Sequence, residues 1–138
     1  MMVIVEDESD ITALIGYLEE EAPDDYAGSY LAEDGQLVVL FTRALDEHGA
    51  RLAQHFPGVR IELRNASYSL SKLRALAREL EAAMQRYQDV VAVGLDERRN
   101  LVEVGITDIA SSTALSLRRR FASEPVRIYE ARISPAHQ

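Results

Sequence analysis

The stretches HFPGVRIE at residues 55–62 and RFASEPVRIYE at residues 120–130 carry the same order of signals. In each, a Phe closes a helical pattern of apolar residues, a short breaker containing Pro follows, and Val-Arg-Ile opens an extended run. A shift of 65 residues superposes four further pairs, which are Ala27 and Ala92, Thr42 and Thr107, Leu52 and Leu117, and Phe56 and Phe121. Two extra residues in the second breaker bring the Val-Arg-Ile triplets together. The chain therefore reads as a tandem repeat.

Each repeat predicts two strands, a helix and a third strand. In the first copy, an Asp-Gly turn at residues 33–36 separates two apolar runs, which is a hairpin signal. Its strands are predicted at 27–32, 37–41 and 59–63, with a helix that Thr42 caps and that turns Leu45, His48 or Gly49, Leu52 and Phe56 inward. The second copy has strands at 90–95, 101–106 and 126–133, with a helix capped by Thr107 or Asp108 over Ala110, Ala114, Leu117 and Phe121.

Two more helices are expected outside these units. Ser9–Glu21 has apolar residues at helical spacing and stops at Ala22-Pro23. The longest helix begins near Ser69 and presents one apolar face, made of Leu70, Leu73, Leu76, Ala77, Leu80, Met84 and Tyr87. Because a single unit would leave one sheet face bare, we expect this long helix to cover a sheet and to couple the two halves.

The sequence thus predicts an α+β fold with two tandem ββαβ units joined by a long helix, preceded by an N-terminal helix. Small sheets should carry helices on one face. The expected segments are an acidic N-terminal helix at 1–25, the first subdomain at 26–68, the connecting helix at 69–88, the second subdomain at 89–133 and a flexible tail at 134–138.

Charge is unevenly distributed along the chain. Residues 1–42 hold eleven acidic residues and no Lys or Arg, and the whole chain carries a net charge of −8. This balance argues against nucleic acid as a partner, since phosphate binding requires concentrated positive charge. Arg118, Arg119 and Arg120 form the one dense basic run, and three consecutive helical residues form no stripe, so we interpret them as a solvated helix end.

Residues with catalytic or metal-binding chemistry are few. Asp46, Glu47 and His48 are adjacent, but neighbouring helical residues point in different directions and build no relay alone. His55 is interpreted as a helix-end cation and His137 as part of the tail. The acidic residues of 19–25 lack the spacing and the central Gly of a calcium loop. We therefore predict no enzyme, no metal site and no cofactor, and the third alternative is a small hydrolase or metal-dependent enzyme.

The last strand is the candidate interaction site. It alternates apolar and polar residues, which are Val126, Arg127, Ile128, Tyr129, Glu130, Ala131, Arg132 and Ile133. Two small sheets leave several strand edges, and an uncovered edge recruits another strand. This strand is either interior and inert or a site where a partner adds a strand.

Four stretches resemble the pro-regions of alpha-lytic-type bacterial serine proteases and free-standing bacterial proteins with the same pattern. They are DDYAGSYLAEDGQLVVLFTRALDEH, VRIELRNASYSLSKLRALARELE, VAVGLDERRNLVEVGITD and PVRIYEA, within residues 24–131. The resemblance implies two small α/β subdomains that act as an intramolecular chaperone and inhibitor. It further implies that the sheet strand at 126–133 meets a hairpin of a chymotrypsin-fold serine protease and that the tail at 134–138 enters the active-site cleft.

The resemblance also bears on compartment and partner. It implies a secreted or periplasmic protein, whereas the acidic N-terminus has no signal peptide, so a complete chain would be cytoplasmic. We expect a protein partner, no nucleic acid and no membrane. The alternative function is a structural or regulatory module whose sheets pair with a second copy, giving a homodimer.

Overall fold

The computed structural model describes residues 8–132, with side chains from Asp10 onward. Within this range the fold is α+β, as predicted, with four helices and two three-stranded sheets. The helices are α1 (Glu8–Glu21), α2 (Leu45–His55), α3 (Leu70–Arg86) and α4 (Ser112–Arg120). The strands are β1 (Tyr26–Leu31), β2 (Leu37–Phe41), β3 (Ile61–Asn65), β4 (Val90–Asp96), β5 (Leu101–Ile106) and β6 (Val126–Glu130).

The chain divides into two compact units, Met1–Ser71 and Lys72–Gln138. The division falls in the first turn of α3, so the rest of that helix belongs to the second unit. In its described part, each unit consists of a helix, a hairpin, a second helix and a third strand. The element order of a ββαβ repeat is thus present twice.

The two sheets have the same topology. In the first, β2 is central, pairs antiparallel with β1 and pairs parallel with β3. In the second, β5 is central, pairs antiparallel with β4 and pairs parallel with β6. Both hairpins carry a register shift near the start of the first strand. A bulge conserved between the copies supports the internal repeat.

The strand register corrects the superposition of the two Val-Arg-Ile triplets. Leu37 of β2 pairs with Ile61, and Val102 of β5, the residue 65 positions later, pairs with Val126. Ile61 therefore corresponds to Val126, whereas the triplets align it with Ile128. Because strand faces alternate with a period of two residues, an offset of two keeps every side chain on its predicted face. The pattern alone could not detect the error.

The hairpin bulge corrects a second superposed pair. Gly28 pairs with Leu40, and Ala92 pairs with Gly105, which is the counterpart of Leu40. Ala92 therefore matches Gly28 and not Ala27. Ala92 and Gly105 lie 13 positions apart in the second hairpin, whereas Gly28 and Leu40 lie 12 apart in the first.

The predicted inward positions Leu52 and Leu117 are confirmed. Leu52 of α2 and Leu117 of α4 are both almost fully buried. Phe56 and Phe121 are the residues that end the two helices, and their N–H groups donate to the carbonyls of Leu52 and Leu117 at 2.8 and 2.9 Å. The same residue types hold the same structural roles in both copies.

Both predicted helix caps are wrong. The N-cap of α2 is Ala44, which has a left-handed backbone (φ 57°) and offers no side-chain bond. Thr42 instead donates its N–H to the carbonyl of Asp25 at 2.8 Å, and Thr107 donates to Asp89 at 2.9 Å in the second unit. The N-cap of α4 is Ser111, whose Oγ accepts from the N–H of Ala114 at 3.1 Å. In each unit the Thr N–H thus bonds to the residue before the hairpin's first strand, and the Thr caps no helix.

The apolar face of α3 differs from the prediction at its C-terminal end. Its buried residues are Leu70, Leu73, Leu76, Leu80 and Ala83. Met84, predicted to face inward, is exposed, because the spacing of three residues from Leu80 leads to Ala83. Ala110, predicted to begin the buried face of α4, is exposed and precedes that helix.

The core of the first unit forms between its helices and one face of its sheet. A buried cluster joins the helices to the central strand, and its members are Leu14, Leu18, Ala22, Tyr26, Leu37, Val39, Phe41, Leu52 and Leu70. Alternate residues of β2 contribute to this cluster, as expected for a strand with one packed face. The hairpin turn is closed by Gly35, whose positive φ of 85° suits glycine.

Candidate functional site

The candidate strand β6 lies at the edge of its sheet. The strand order is β4-β5-β6, so β6 has β5 on one side and no strand of its own sheet on the other. An edge strand carries a row of backbone groups that no ladder satisfies. The structure thus excludes an interior position for β6 in its own sheet.

The hydrogen-bond pattern shows which backbone groups point away from the sheet. At one end of the ladder, the N–H of Val102 donates to the carbonyl of Pro125 at 2.8 Å, and at the other end the N–H of Ala131 donates to Ile106 at 2.8 Å. With the parallel register, these bonds direct alternate residues of β6 toward β5, namely Arg127, Tyr129 and Ala131. The backbone groups that point outward belong to Val126, Ile128 and Glu130, and among them the N–H of Val126 donates to the carbonyl of Glu124 at 2.8 Å.

Beside this edge lies a cavity of about 260 Å³ between α4 and β6. We call it the α4–β6 cavity. Its walls are the apolar side chains of Leu117, Phe121, Val126 and Ile128, and Arg118 and Glu124 stand at its rim. Val126 and Ile128 pair with Val102 and Val104, which are fully buried, so the cavity opens on the packed face of the sheet. A cavity lined by both apolar and charged residues therefore adjoins the outward backbone of β6.

The opposite face of β6 carries charge and an aromatic ring. Arg127 forms an ion pair with Glu103 of the neighbouring strand. The ring of Tyr129 lies across Gly105, where an added Cβ would stand 2.9 Å from the ring. Glycine at position 105 thus makes room for Tyr129.

The predicted strand is longer than the observed one. β6 ends at Glu130, because its partner β5 ends at Ile106, which pairs with Glu130. Ala131 adds one more bond to the ladder, and Arg132 is exposed beyond it. Ile133 and the predicted tail at 134–138 lie outside the described residues.

A polar cluster that the sequence interpretation missed joins Asp25 to α2. One carboxylate oxygen of Asp25, Oδ2, lies 2.9 Å from Nε2 of His48, and the other, Oδ1, lies 3.1 Å from Nε of Arg43. His48 is 8% exposed and its ring stacks on Phe41 at 4.3 Å between centroids, with 7° between planes. His48 was predicted to face inward, but the partner that satisfies it is 23 residues away in sequence.

The residues around this cluster indicate a structural role for it rather than a catalytic one. A cavity of about 430 Å³ beside it is lined by residues of both charges, among them Glu47 and Arg51. No Ser, Thr, Cys or Lys side chain lines it. The equivalent position of His48 in the second unit is Thr113, although the backbone bond made by Asp25 recurs at Asp89. The carboxylate and imidazole therefore fix the start of α2 to the loop before β1.

The remaining predicted polar residues are dispersed. His55 is exposed at the end of α2, where its Nδ1 lies 2.9 Å from the carbonyl of Arg51. Among the side chains that the structure describes, no group of three or more His, Asp or Glu residues could hold a metal ion. On β3, the carboxylate of Glu62 raises the pKa of the Arg64 guanidinium, which keeps that side chain charged.

The comparisons with known proteins leave the family open. No protein-family model matches the sequence, and a search of curated proteins finds no match. Within residues 8–132, no helix combines the length and the apolar character that a membrane span requires. The argument for function therefore depends on the geometry of the described residues.

Proposed function

We propose that the chain is a protein-binding domain without enzymatic activity that presents β6 to a partner. In line with the resemblance to alpha-lytic-type pro-regions, the proposed partner is a chymotrypsin-fold serine protease that the domain inhibits or helps to fold. The observation that supports the proposal most directly is the edge position of β6. Its outward groups at Ile128 and Glu130 are arranged for backbone pairing with an added strand.

In the first unit, the edge strand that corresponds to β6 is β3. Comparison of the two strands favours β6 as the binding strand. Gly49 of α2 packs so closely on β3 that an added Cβ would stand 2.6 Å from Cδ1 of Leu63. Ala114 occupies the equivalent position in α4, and it is fully buried. The second unit keeps an open cavity beside its edge, where an incoming strand can place a side chain.

A proline at Ile128 tests the proposal with little damage to the sheet. The N–H of Ile128 points away from β5, so its loss removes no bond of the ladder, while the ring blocks an incoming strand. Leu63 of β3 is the register equivalent, since Leu63 pairs with Val39 and Ile128 pairs with Val104. Leu63→Pro is therefore the matched control.

The assay is hydrolysis of a chromogenic peptide by a purified alpha-lytic-type protease, with increasing amounts of the domain. We expect the unmodified chain and Leu63→Pro to suppress hydrolysis and Ile128→Pro to lose that effect. Because Ile128 is half-buried, Glu130→Pro provides a second test at an exposed residue with an outward N–H, with Asn65→Pro as its counterpart in β3. Undiminished hydrolysis with the unmodified chain would reject the protease as partner.

The second candidate function is self-association through the same edges. It is favoured by the presence of an edge strand on both sides of each described sheet. Sedimentation across a range of concentrations distinguishes the two candidates. A mass that doubles with concentration and returns to the monomer value in Ile128→Pro indicates that a second copy is the partner.

A further inference from the structure

The surroundings of β6 differ from those of β3 in shape and in charge, and the internal repeat makes the comparison direct. Phe56, which ends α2, is packed edge-on against Tyr17 at 5.7 Å between ring centroids. Its counterpart Phe121, which ends α4, lines the α4–β6 cavity and a second cavity of about 170 Å³ on the α3 side. Phe121 is only 6% exposed, so its ring forms part of the wall of both cavities.

The size of the α4–β6 cavity indicates what can enter it. Its volume of about 260 Å³ is below the roughly 300–1,000 Å³ of most small-molecule sites. Its apolar walls adjoin the outward backbone of Ile128. A strand paired with β6 would point every second side chain to this face. The geometry suits a single apolar side chain of an added strand.

The charge around β6 is opposite to that of the chain as a whole. Residues 112–132 hold five Arg and two Glu, a net charge of +3, whereas the whole chain carries −8. The equivalent residues 47–67 hold three Arg and two Glu. Both Glu residues of the 112–132 segment are engaged, since Glu124 pairs with Lys72 at 2.9 Å and Glu130 accepts from the N–H of Ile109 at 3.2 Å.

Several arginines of this segment have no acidic partner in the described part of the chain. Arg120 lies 3.6 Å from Glu79 and Arg127 pairs with Glu103, but Arg118, Arg119 and Arg132 are exposed without an ion pair among residues 8–132. Positive charge near the cavity, with Arg118 at its rim, favours an acidic partner and speeds its encounter.

We propose that β6 binds an acidic, extended protein segment whose alternate residues are apolar, and that one apolar side chain of this segment fills the α4–β6 cavity. The inference rests on the proposed function, because it requires strand addition at β6. It adds the chemistry of the bound segment and the side chain that anchors it.

Designed peptides test both parts. The probe is acetyl-Glu-Val-Glu-Leu-Glu-Val-Glu-amide, with one peptide that replaces the central Leu by Gly and another that replaces every Glu by Lys. Binding to the full chain is measured by titration calorimetry, and backbone amide shifts of Ile128 and Glu130 report the location. We expect the Leu peptide to bind at least about tenfold more tightly than the Gly peptide, because a buried Leu side chain gains that much from leaving water. The Lys peptide should not bind.

Three variants separate the contribution of the cavity to binding from that of the arginine charges. Ala122 is exposed and lines the cavity, so Ala122→Leu should fill it and reduce the affinity of the Leu peptide to that of the Gly peptide. Ala53→Leu, at an exposed position of α2, is the control and should bind normally. The double change Arg118→Gln and Arg119→Gln should weaken binding of both acidic peptides about tenfold at low salt and less at high salt.

The outcomes distinguish this inference from the function on which it rests. If Leu and Gly peptides bind equally and Ile128→Pro abolishes both, strand addition stands and the cavity anchor is rejected. If Ala122→Leu abolishes binding and Ile128→Pro does not, the cavity is occupied without strand addition, and the proposed function fails. Equal binding of the Lys peptide, or no amide shift at β6 with any peptide, overturns the inference.

Discussion

Replacement of His48 by Ala should destabilise the first unit more than any other change of a polar residue that we consider. The imidazole bonds to a carboxylate at 2.9 Å and stacks on Phe41 at 4.3 Å, and the side chain is 10% exposed. A bond to a charged group contributes about 1.5–3 kcal/mol, and an aromatic contact adds about 0.5–1.5 kcal/mol. Since Arg43 still holds the other oxygen of Asp25, we expect a loss of about 2–4 kcal/mol in the free energy of unfolding.

Urea denaturation followed by circular dichroism measures this loss, with two control variants. His55→Ala removes the same residue type from an exposed position of the same helix, and it should change the free energy of unfolding by less than about 0.5 kcal/mol. His48→Phe keeps the ring stacking and removes the bond, so its loss should lie between those of the two Ala variants.

Amide exchange localises the effect within the molecule. The N–H of Thr42 donates to Asp25, and the equivalent N–H of Thr107 donates to Asp89 in the second unit. His48→Ala should speed exchange at Thr42 and leave Thr107 unchanged. A loss of less than about 1 kcal/mol, or equal acceleration at both Thr residues, would refute the assignment of His48 and Asp25 as a local brace.

Three further substitutions test local features by the same denaturation assay. Gly105→Ala should cost about 1–2 kcal/mol because the new methyl displaces the Tyr129 ring, whereas Gly94→Ala meets no atom within 4 Å and should be neutral or slightly stabilising; equal effects would contradict this account. Ala44→Gly should stabilise the chain by up to about 1 kcal/mol, since the left-handed backbone costs Ala about 1–2 kcal/mol. The greater conformational entropy of Gly in the unfolded chain offsets part of this gain. Ser111→Ala should cost about 1 kcal/mol through loss of the α4 cap, and no loss would mean that the 3.1 Å bond is immaterial.

The fold was predictable where local signals and side-chain periodicity agree. The Asp-Gly turn fixed the first hairpin, and the spacing of Leu52 and Leu117 from the helix-ending Phe residues identified the inward faces of α2 and α4. Each of these signals acts over a few residues. They depend little on the rest of the chain, so a single sequence is enough to read them.

The predictions that were wrong concern features set by contacts between residues far apart in the sequence. The register of β3 and β6 depends on their pairing with a central strand, and the sequence pattern is unchanged by an offset of two residues. Thr42 was expected to cap α2, but its N–H bonds to Asp25 across the hairpin. The bond between His48 and Asp25 spans 23 residues and has no local signal. A buried His on an otherwise apolar face is the one hint that a partner must exist.

The candidate strand was predictable as a strand but not as an edge, because strand order follows from topology rather than from alternation. The repeat then supplies an argument that neither copy supplies alone. Positions that serve the fold keep their residue types, as Leu52 and Leu117 or Phe56 and Phe121 do. The surroundings of these phenylalanines have diverged, with an aromatic contact in the first unit and an open cavity with Arg118 and Glu124 at its rim in the second. A fold that needs both copies to pack alike explains the shared residues, and it gives no reason for the cavity. Binding at β6 does.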